Sequence, residues 1–225
     1  MSMVVPGVPV LYADEAMLVL DKPAGLLAVP GRGPDKQDCL SARVQAVWSD
    51  ALVVHRLDMA TSGIVVMARG IEAQRRLSGA FERRMTHKRY RAVVAGHLAN
   101  ALPDNGWNTI DLPLMVDWLN RPRSIVQHEH GKPSLTRWRL DMDPGFDLSA
   151  DSDLSTRVEL EPVTGRSHQL RVHLQAIGHP IAGDPLYADS AQQALASRLM
   201  LHACTLEIPH PVSGERLRFD SPCPF

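Results

Sequence analysis

The order of apolar and polar positions along the chain predicts short strands interspersed with amphipathic helices. Strands are predicted where short apolar or alternating runs occur, at 17–20, 64–68, 88–96 and 157–161. Apolar residues recur every three or four positions at 38–48 and 71–85, which predicts two helices packed on a sheet. Because no regular strand–helix–strand repeat occurs, the pattern indicates an α+β domain with a mixed, largely antiparallel central sheet flanked by helices and loops.

Polar residues predict where several elements begin or end. Asp38 or Ser41 is a candidate cap for the first helix, and Ser167 is the candidate cap of a later helix that ends at Gly178. Residues 98–133 are rich in Pro, Gly and Asn, so we expect loops and short strands there.

Length and composition fit one large soluble domain. The 225 residues, of which 44% are hydrophobic, are enough to bury a substantial core. With the first strand near Met17, residues 1–16 form an N-terminal extension and 17–225 the domain proper. No apolar run reaches the roughly 20 residues that span a bilayer. Three widely separated cysteines, none in a CxxC pair, favour a reducing cytoplasm. We also expect a monomer.

Charge is balanced overall and uneven locally. The chain has 24 Lys plus Arg against 25 Asp plus Glu. Residues 69–91 carry eight basic and two acidic side chains, whereas 141–161 carries seven acidic side chains and Arg157. A basic region of this kind can bind a phosphate backbone even in a nearly neutral molecule. The alternative is that both regions are ordinary solvated surface, and the role of the acidic stretch 141–153 stays open.

One carboxylate lies in a polar turn between two apolar runs. Asp58 follows His55 and Arg56 and precedes Thr61-Ser62-Gly63. Turns on a rigid scaffold often carry catalytic groups, which makes Asp58 the leading functional candidate. The same residues also fit a purely structural turn that enters a core strand, because Asp, Thr and Ser side chains can bond their own backbone.

A second polar cluster is Gly165-Arg166-Ser167-His168-Gln169-Leu170-Arg171-Val172-His173. Arg166, which we expect in the first turn of the helix, can hold a carboxylate by two parallel hydrogen bonds, or it can form an ordinary structural salt bridge. The spacing of His168 and His173 does not let them share an ion, so we expect no metal. No GxSxG, GxGxxG or GxxxxGK[ST] motif is present.

Together these motifs resemble the RluA family of pseudouridine synthases. The matching segments are HRLD and TSG at 55–63, KPAGLL at 22–27, KRY at 88–90, GRSHQLRVH at 165–173, GDPLY at 183–187 and LHA at 201–203. They occur in the order expected for the family and extend from about residue 17 to the C-terminus. The resemblance implies a pseudouridine synthase fold, an isomerase that needs no cofactor, and RNA as the partner. The start of the first strand near Met17 leaves no room for the S4 RNA-binding domain that family members often carry.

The resemblance also implies roles for individual side chains. Asp58 is the nucleophile and Arg166 its ion-pair partner, while attack on C1′, attack on C6 of the base and assistance in glycal formation all stay open for the carboxylate. Tyr90 stacks on the uracil and can take the C5 proton. Leu170 packs on the opposite face of the base. Arg56 fills the stack that a flipped uridine vacates, with His55 beside it.

The remaining expectations concern the RNA. Further residues that we expect to contact it are Thr61, Arg83, Arg84, Lys88, Arg89, Arg121, Arg123 and Lys132. Segments 117–122 and 131–133 are similar to family members that modify a 23S rRNA loop and a tRNA anticodon loop.

Two alternative functions remain. One is a hydrolase that uses Asp58 on an N-glycoside, although the matched motifs contain no second acid. The other is a non-catalytic RNA-binding or folding factor.

Overall fold

The structure is a computed structural model that describes residues 4–98, 106–141 and 154–225. Within it the chain divides into two compact units. The first comprises Met1–Lys88 and His202–Cys223, and the second comprises Arg89–Leu201 and Pro224–Phe225. The acidic stretch that we singled out falls, except for Asp141, outside the described residues.

The described residues form short strands and four helices. The strands are β1 (Val10–Ala13), β2 (Met17–Lys22), β3 (Ala51–Val53), β4 (Ser62–Arg69), β5 (His87–Ala95), β6 (Asn108–Asp111), β7 (Leu114–Val116), β8 (Ser124–Val126), β9 (Leu135–Leu140), β10 (Ser155–Pro162), β11 (Leu201–Pro209) and β12 (Arg216–Asp220). The helices are α1 (Leu40–Gln45), α2 (Ile71–Glu82), α3 (Gln169–Ala176) and α4 (Ser190–Ala194), with a 3-10 turn at Pro34–Lys36. None of these helices is long and apolar enough to cross a membrane.

The first unit is a sheet in the order β1-β2-β4-β11, with β12 on β11 and β3 on β4. Strand β2 runs antiparallel to both β1 and β4, whereas β4 and β11 run parallel, with Ser62 opposite His202. Helix α2 covers one face through Ala73 and Leu77, which join the core residues of β2 and β4. Burial of both strands explains why their sequences are almost continuously apolar.

The second unit contains an antiparallel sheet in the order β5-β10-β9-β6 and a separate β7–β8 hairpin. Helix α3 packs on β8, β9 and β10. Its buried side includes Leu170, Val172 and Leu174, and also His173, which hydrogen-bonds Thr136 of β9 (2.9 Å). The predicted α+β class with largely antiparallel pairing is therefore confirmed.

The four strands predicted from apolar runs are all present; three have slightly longer bounds, and the one predicted at 88–96 lies one residue earlier, at His87–Ala95. The two predicted helices are present but shorter, since α1 ends at Gln45 and α2 at Glu82. Strand β1 corrects one expectation: Val10–Ala13 lies inside the predicted N-terminal extension yet pairs with β2. The treatment of 17–225 as one catalytic domain stays a prediction.

The predicted N-terminal helix caps are wrong, whereas Gly178, with φ of 87°, does follow the end of α3 as predicted. Helix α1 is capped by the Cys39 sulfur, which accepts the Ala42 N–H (3.4 Å), while Asp38 binds Arg43 instead. Helix α3 begins at Gln169 after His168 in a left-handed conformation (φ 56°), and no side chain caps it. The Gln169 side chain closes this loop by accepting the Arg166 N–H (3.0 Å), so Ser167 does not cap and Arg166 precedes the helix.

Candidate active site

The Asp58 turn is closed by its own backbone and then enters β4. The Thr61 N–H donates to the Asp58 carbonyl (3.1 Å), and both Thr61 and Ser62 are buried while Asp58 is half-buried. Gly63, with φ of 113°, lies so close to β11 that a Cβ would be 2.3 Å from the Ala203 oxygen. The turn therefore has a fixed exit, which limits where the backbone of Asp58 can lie.

A buried ammonium secures the other side of the same turn. Lys22 has no exposed surface, and its Nζ donates to the carbonyls of Pro23 (2.9 Å), Leu26 (2.8 Å) and Met59 (3.1 Å). The Gly25 N–H also donates to Met59 O (2.8 Å). Burying a charge is costly unless hydrogen bonds compensate it, and these carbonyls supply that compensation. Sequence reasoning quoted this lysine within a motif and gave it no role, because its burial depends on the folded loops.

A chain of buried polar side chains continues from Ser62. Ser62 Oγ lies 3.0 Å from His202 Nδ1, and His202 Nε2 lies 3.1 Å from Ser221 Oγ. Ser221 Oγ donates to Asp21 (2.7 Å), so its only proton is used there. His202 therefore donates from Nε2, and in its neutral form it accepts the Ser62 hydroxyl proton at Nδ1. The chain joins the start of β4 to β11 and β2, and His202 is a residue whose part in the site the sequence reasoning missed.

His55 anchors the segment before Asp58. Its Nε2 accepts the Val66 N–H (3.0 Å), and its ring stacks on Phe81 of α2 at 4.4 Å between centroids. The pKa of His55 is lowered from 6.5 to about 3, mainly by burial and to a smaller extent by the positive charge of Lys88. Burial also lowers the pKa of Lys88. His55 is therefore neutral at physiological pH and serves the scaffold, while Arg56 beside it is exposed.

The second unit places the two arginines of segment 165–173 in different environments. The exposed Arg166 guanidinium donates to the Pro133 carbonyl, at 3.4 and 3.5 Å. Arg171 is buried and makes two short hydrogen bonds to Asp184, at 2.6 and 2.7 Å. Sequence reasoning selected Arg166 and passed over Arg171. The pairing of Arg166 with Asp58, residues of different units, stays a prediction.

Tyr90 and Leu170 also belong to the second unit. Tyr90 is half-buried on β5, opposite Leu160 of β10, and Leu170 is buried in the first turn of α3. Their predicted contacts with uracil remain predictions. Within residues 4–98, 106–141 and 154–225, no group of three or more His, Cys, Asp or Glu side chains could hold a metal ion.

Comparisons with known proteins show the family to which the chain belongs. The sequence profile of the family described as RNA pseudouridylate synthase matches residues 16–176. The chain belongs to this family. The enzyme is 49% identical to "Dual-specificity RNA pseudouridine synthase RluA" of Yersinia pestis, covering 96% of this chain and 99% of that one. It is 44% identical to the protein of the same name from Escherichia coli strain K12, covering 98% and 95%.

A solved structure supports the fold of this pseudouridine synthase. "Human RNA Pseudouridylate Synthase Domain Containing 1" superposes with a TM-score of 0.77 and 28% identity, covering 99% of this chain and 86% of the other. The protein is therefore an RNA pseudouridine synthase, which is an isomerase.

The basic residues of the synthase differ in how much of their charge is already balanced. Arg89 pairs with Glu159 (2.9 Å) and Glu161 (3.3 Å), which makes it a weaker candidate for phosphate binding. Arg83 and Arg84, after the end of α2, are exposed, as are Arg121, Arg123 and Lys132 in the second unit. Lys88 is half-buried. The five exposed cations remain better candidates for contact with the RNA backbone than Arg89 or Lys88.

Proposed function

We propose that this enzyme isomerises specific uridines in folded RNA stem-loops, with Asp58 as the nucleophile. The observation that carries the proposal is the Asp58 turn, which Lys22, Gly63 and the Ser62–His202 hydrogen bond hold from several sides. Precise placement of a nucleophile lowers the barrier to a reaction that needs no cofactor. In the reaction the bond from C1′ to N1 of uracil breaks, a bond from C1′ to C5 forms, C5 loses a proton and N1 gains one.

The remaining roles complete the proposal. Tyr90 stacks on the detached uracil and can take the C5 proton, Leu170 packs on its other face, and Arg166 pairs with the Asp58 carboxylate. Arg56, exposed beside the turn, fills the space that the flipped uridine leaves in the RNA stack. Thr61, which is buried, takes part only by holding the turn.

The substrates that we propose are a loop of 23S rRNA and the anticodon loop of tRNA. The relatives named as dual-specificity RNA pseudouridine synthases support the idea of two RNA classes. Single-stranded loops expose bases that a protein can reach, whereas the interior of an RNA helix does not. Because both RNAs occur in the cytoplasm, we propose that the enzyme acts there, as a monomer.

The test is release of tritium from C5-labelled uridine in stem-loop transcripts of both RNAs. We expect release with the wild type, none with Asp58→Ala or the isosteric Asp58→Asn, and normal release with the exposed control Asp35→Ala. Tritium release by Asp58→Asn would refute the nucleophile assignment. Free uracil as the product would instead identify an N-glycoside hydrolase.

A second comparison tests the role of Arg56. Arg56→Ala should slow the reaction on folded stem-loops far more than on an unstructured oligonucleotide, because only a folded loop requires the vacated stack to be filled. Equal rates of wild type and variant on the folded RNA would contradict this role.

A further inference from the structure

The β7–β8 hairpin carries an unusual group of exposed apolar side chains. Trp118 is 68% exposed and the adjacent Leu119 is 95% exposed at the tip. The strands below the tip are anchored, since Ser124 is buried and its N–H donates to the Tyr187 hydroxyl (2.8 Å). Single exposed apolar residues are common, but two large adjacent ones at a fixed tip mark an interaction surface.

The tip is held in one shape by its own hydrogen bonds. Asp117 Oδ1 accepts the N–H groups of Leu119 (3.2 Å) and Asn120 (3.1 Å), and Oδ2 accepts the Asn120 side-chain amide (2.8 Å). The Asn120 amide, which bonds the carboxylate, lowers the pKa of Asp117. The backbone closes the turn between Asp117 and Arg123 (2.9 Å). Trp118 is thus presented on a preformed turn, which reduces the entropy lost when a ligand binds.

Positive charge adjoins the exposed ring. The Arg121 guanidinium lies 3.3 Å from the centroid of the Trp118 ring, within the range of a cation–π contact. Arg123 follows on the same turn, and Lys132 lies on a segment that forms a bridge with Leu114 of β7. Aromatic rings flanked by arginine and lysine are typical of surfaces that bind single-stranded nucleic acids.

We propose that Trp118 is a stacking platform for one unpaired base of the substrate loop, with Arg121 and Lys132 on the adjacent phosphates. The proposal rests on the proposed function and adds a substrate contact outside the matched catalytic motifs. A nucleobase fits this surface better than an apolar peptide does, because a base supplies a flat π-face for the indole and its phosphates supply charge for the two cations.

The experiment compares Trp118→Ala and Trp118→Phe with Val212→Ala, whose side chain is equally exposed at 68%. Tritium release is measured as a function of stem-loop concentration. We expect Trp118→Ala to raise KM about tenfold, since stacking on an aromatic ring contributes ~1–3 kcal/mol per base. The kcat at saturating RNA should be unchanged, Trp118→Phe should restore most of the affinity, and Val212→Ala should behave as wild type.

Abasic substrates identify the contact. Single abasic sites are placed in turn at each loop position other than the target uridine, and KM is measured for the wild type and Trp118→Ala. At one position the KM values of the wild type and Trp118→Ala should become equal. Without the base at that position, the Trp118 ring of the wild type has nothing to stack on, so removing the ring has no further effect. A KM unchanged by Trp118→Ala, or a difference that no abasic site removes, would overturn the proposal.

The outcomes separate this inference from the proposed function. If the wild type releases no tritium, the proposed function fails, and the platform is then tested by fluorescence anisotropy of the labelled stem-loop with the wild type and Trp118→Ala. If the wild type instead self-associates in sedimentation and Trp118→Ala abolishes this, the hairpin binds protein, which refutes the RNA platform.

Discussion

Two arginines of one motif, Arg166 and Arg171, illustrate how burial changes what a side chain does. Arg166→Ala should lower kcat/KM for RNA but leave the free energy of unfolding unchanged, because its guanidinium is exposed and its hydrogen bonds to the Pro133 carbonyl are long. Arg171→Ala should lower the free energy of unfolding by about 3 kcal/mol or more, because Asp184 would stay buried without its partner. Tritium release and urea unfolding measure the two effects. Full activity of Arg166→Ala would show that Arg166 is not part of the site. Arg171 would then be the next candidate for the ion-pair partner of Asp58.

His55 should make the stability of the protein depend on pH. Its pKa is lowered in the folded state, so the unfolded chain binds a proton that the native state does not. Its stabilising contribution is complete above about pH 6.5 and is lost as the pH falls toward 3, by at most ~1.4 kcal/mol per pH unit. Between pH 7.5 and 5, the free energy of unfolding measured with urea should fall more for the wild type than for His55→Gln. The control variant His130→Gln, at an exposed position, should lose as much free energy of unfolding between these pH values as the wild type does. An equal loss in His55→Gln would contradict a neutral His55 in the folded state.

At this scale the sequence was sufficient to single out Asp58 as a candidate, because its turn contains a recognisable order of residue types. It was not sufficient for Lys22, His202 or Arg171. Their roles depend on burial, and burial arises from contacts between segments far apart in the chain, such as Lys22 with Met59. No local pattern separates the buried Arg171 from the exposed Arg166 before the helix boundary is known.

Among the elements, β4 and β11 impose a strict requirement, since their backbones meet at Gly63 and Ala203. Gly63→Ala should destabilise the fold by about 4 kcal/mol or more and abolish tritium release, because the added Cβ meets the Ala203 backbone at 2.3 Å. Gly214→Ala is a matched control: its φ is also positive (75°) but no atom lies within 4 Å, so only the ~1–2 kcal/mol of backbone strain applies. Equal losses in the two variants, measured by thermal and urea unfolding, would show that strain and not the strand contact dominates at Gly63.

Element types were more predictable than element ends. The strands at Met17–Lys22 and Ser62–Arg69 follow from local runs of apolar residues, which any buried strand requires. The ends of α1 and α3 depend on which side chain happens to reach a backbone group: the Cys39 sulfur caps one helix, and Gln169 closes the loop before the other. Several side chains near each boundary could do this, so the sequence alone does not choose among them.

For the whole molecule, the near-neutral net charge conceals which cations remain available. Among the described residues, half of the eight basic side chains between 69 and 91 form ion pairs, namely Arg69, Arg75, Arg89 and Arg91. Summing charges along the sequence therefore overstated the basic surface. In the described residues, Arg83 and Arg84 are exposed and form no ion pair, so they keep their charge for RNA.

RNA affinity should fall steeply as salt is added, and this pair of arginines should account for part of the slope. Each phosphate contact contributes about 0.7 to the slope of log K against log salt for a single-stranded RNA. The double variant Arg83→Gln, Arg84→Gln should reduce the slope by more than one, measured by anisotropy of a labelled stem-loop between low and moderate salt. Arg218→Gln removes an exposed cation that Asp220 already pairs at 2.9 Å, so it should leave the slope unchanged. A slope that falls equally in Arg218→Gln would mean that binding responds to net charge alone, and the segment after α2 would then have no particular role in holding the RNA backbone.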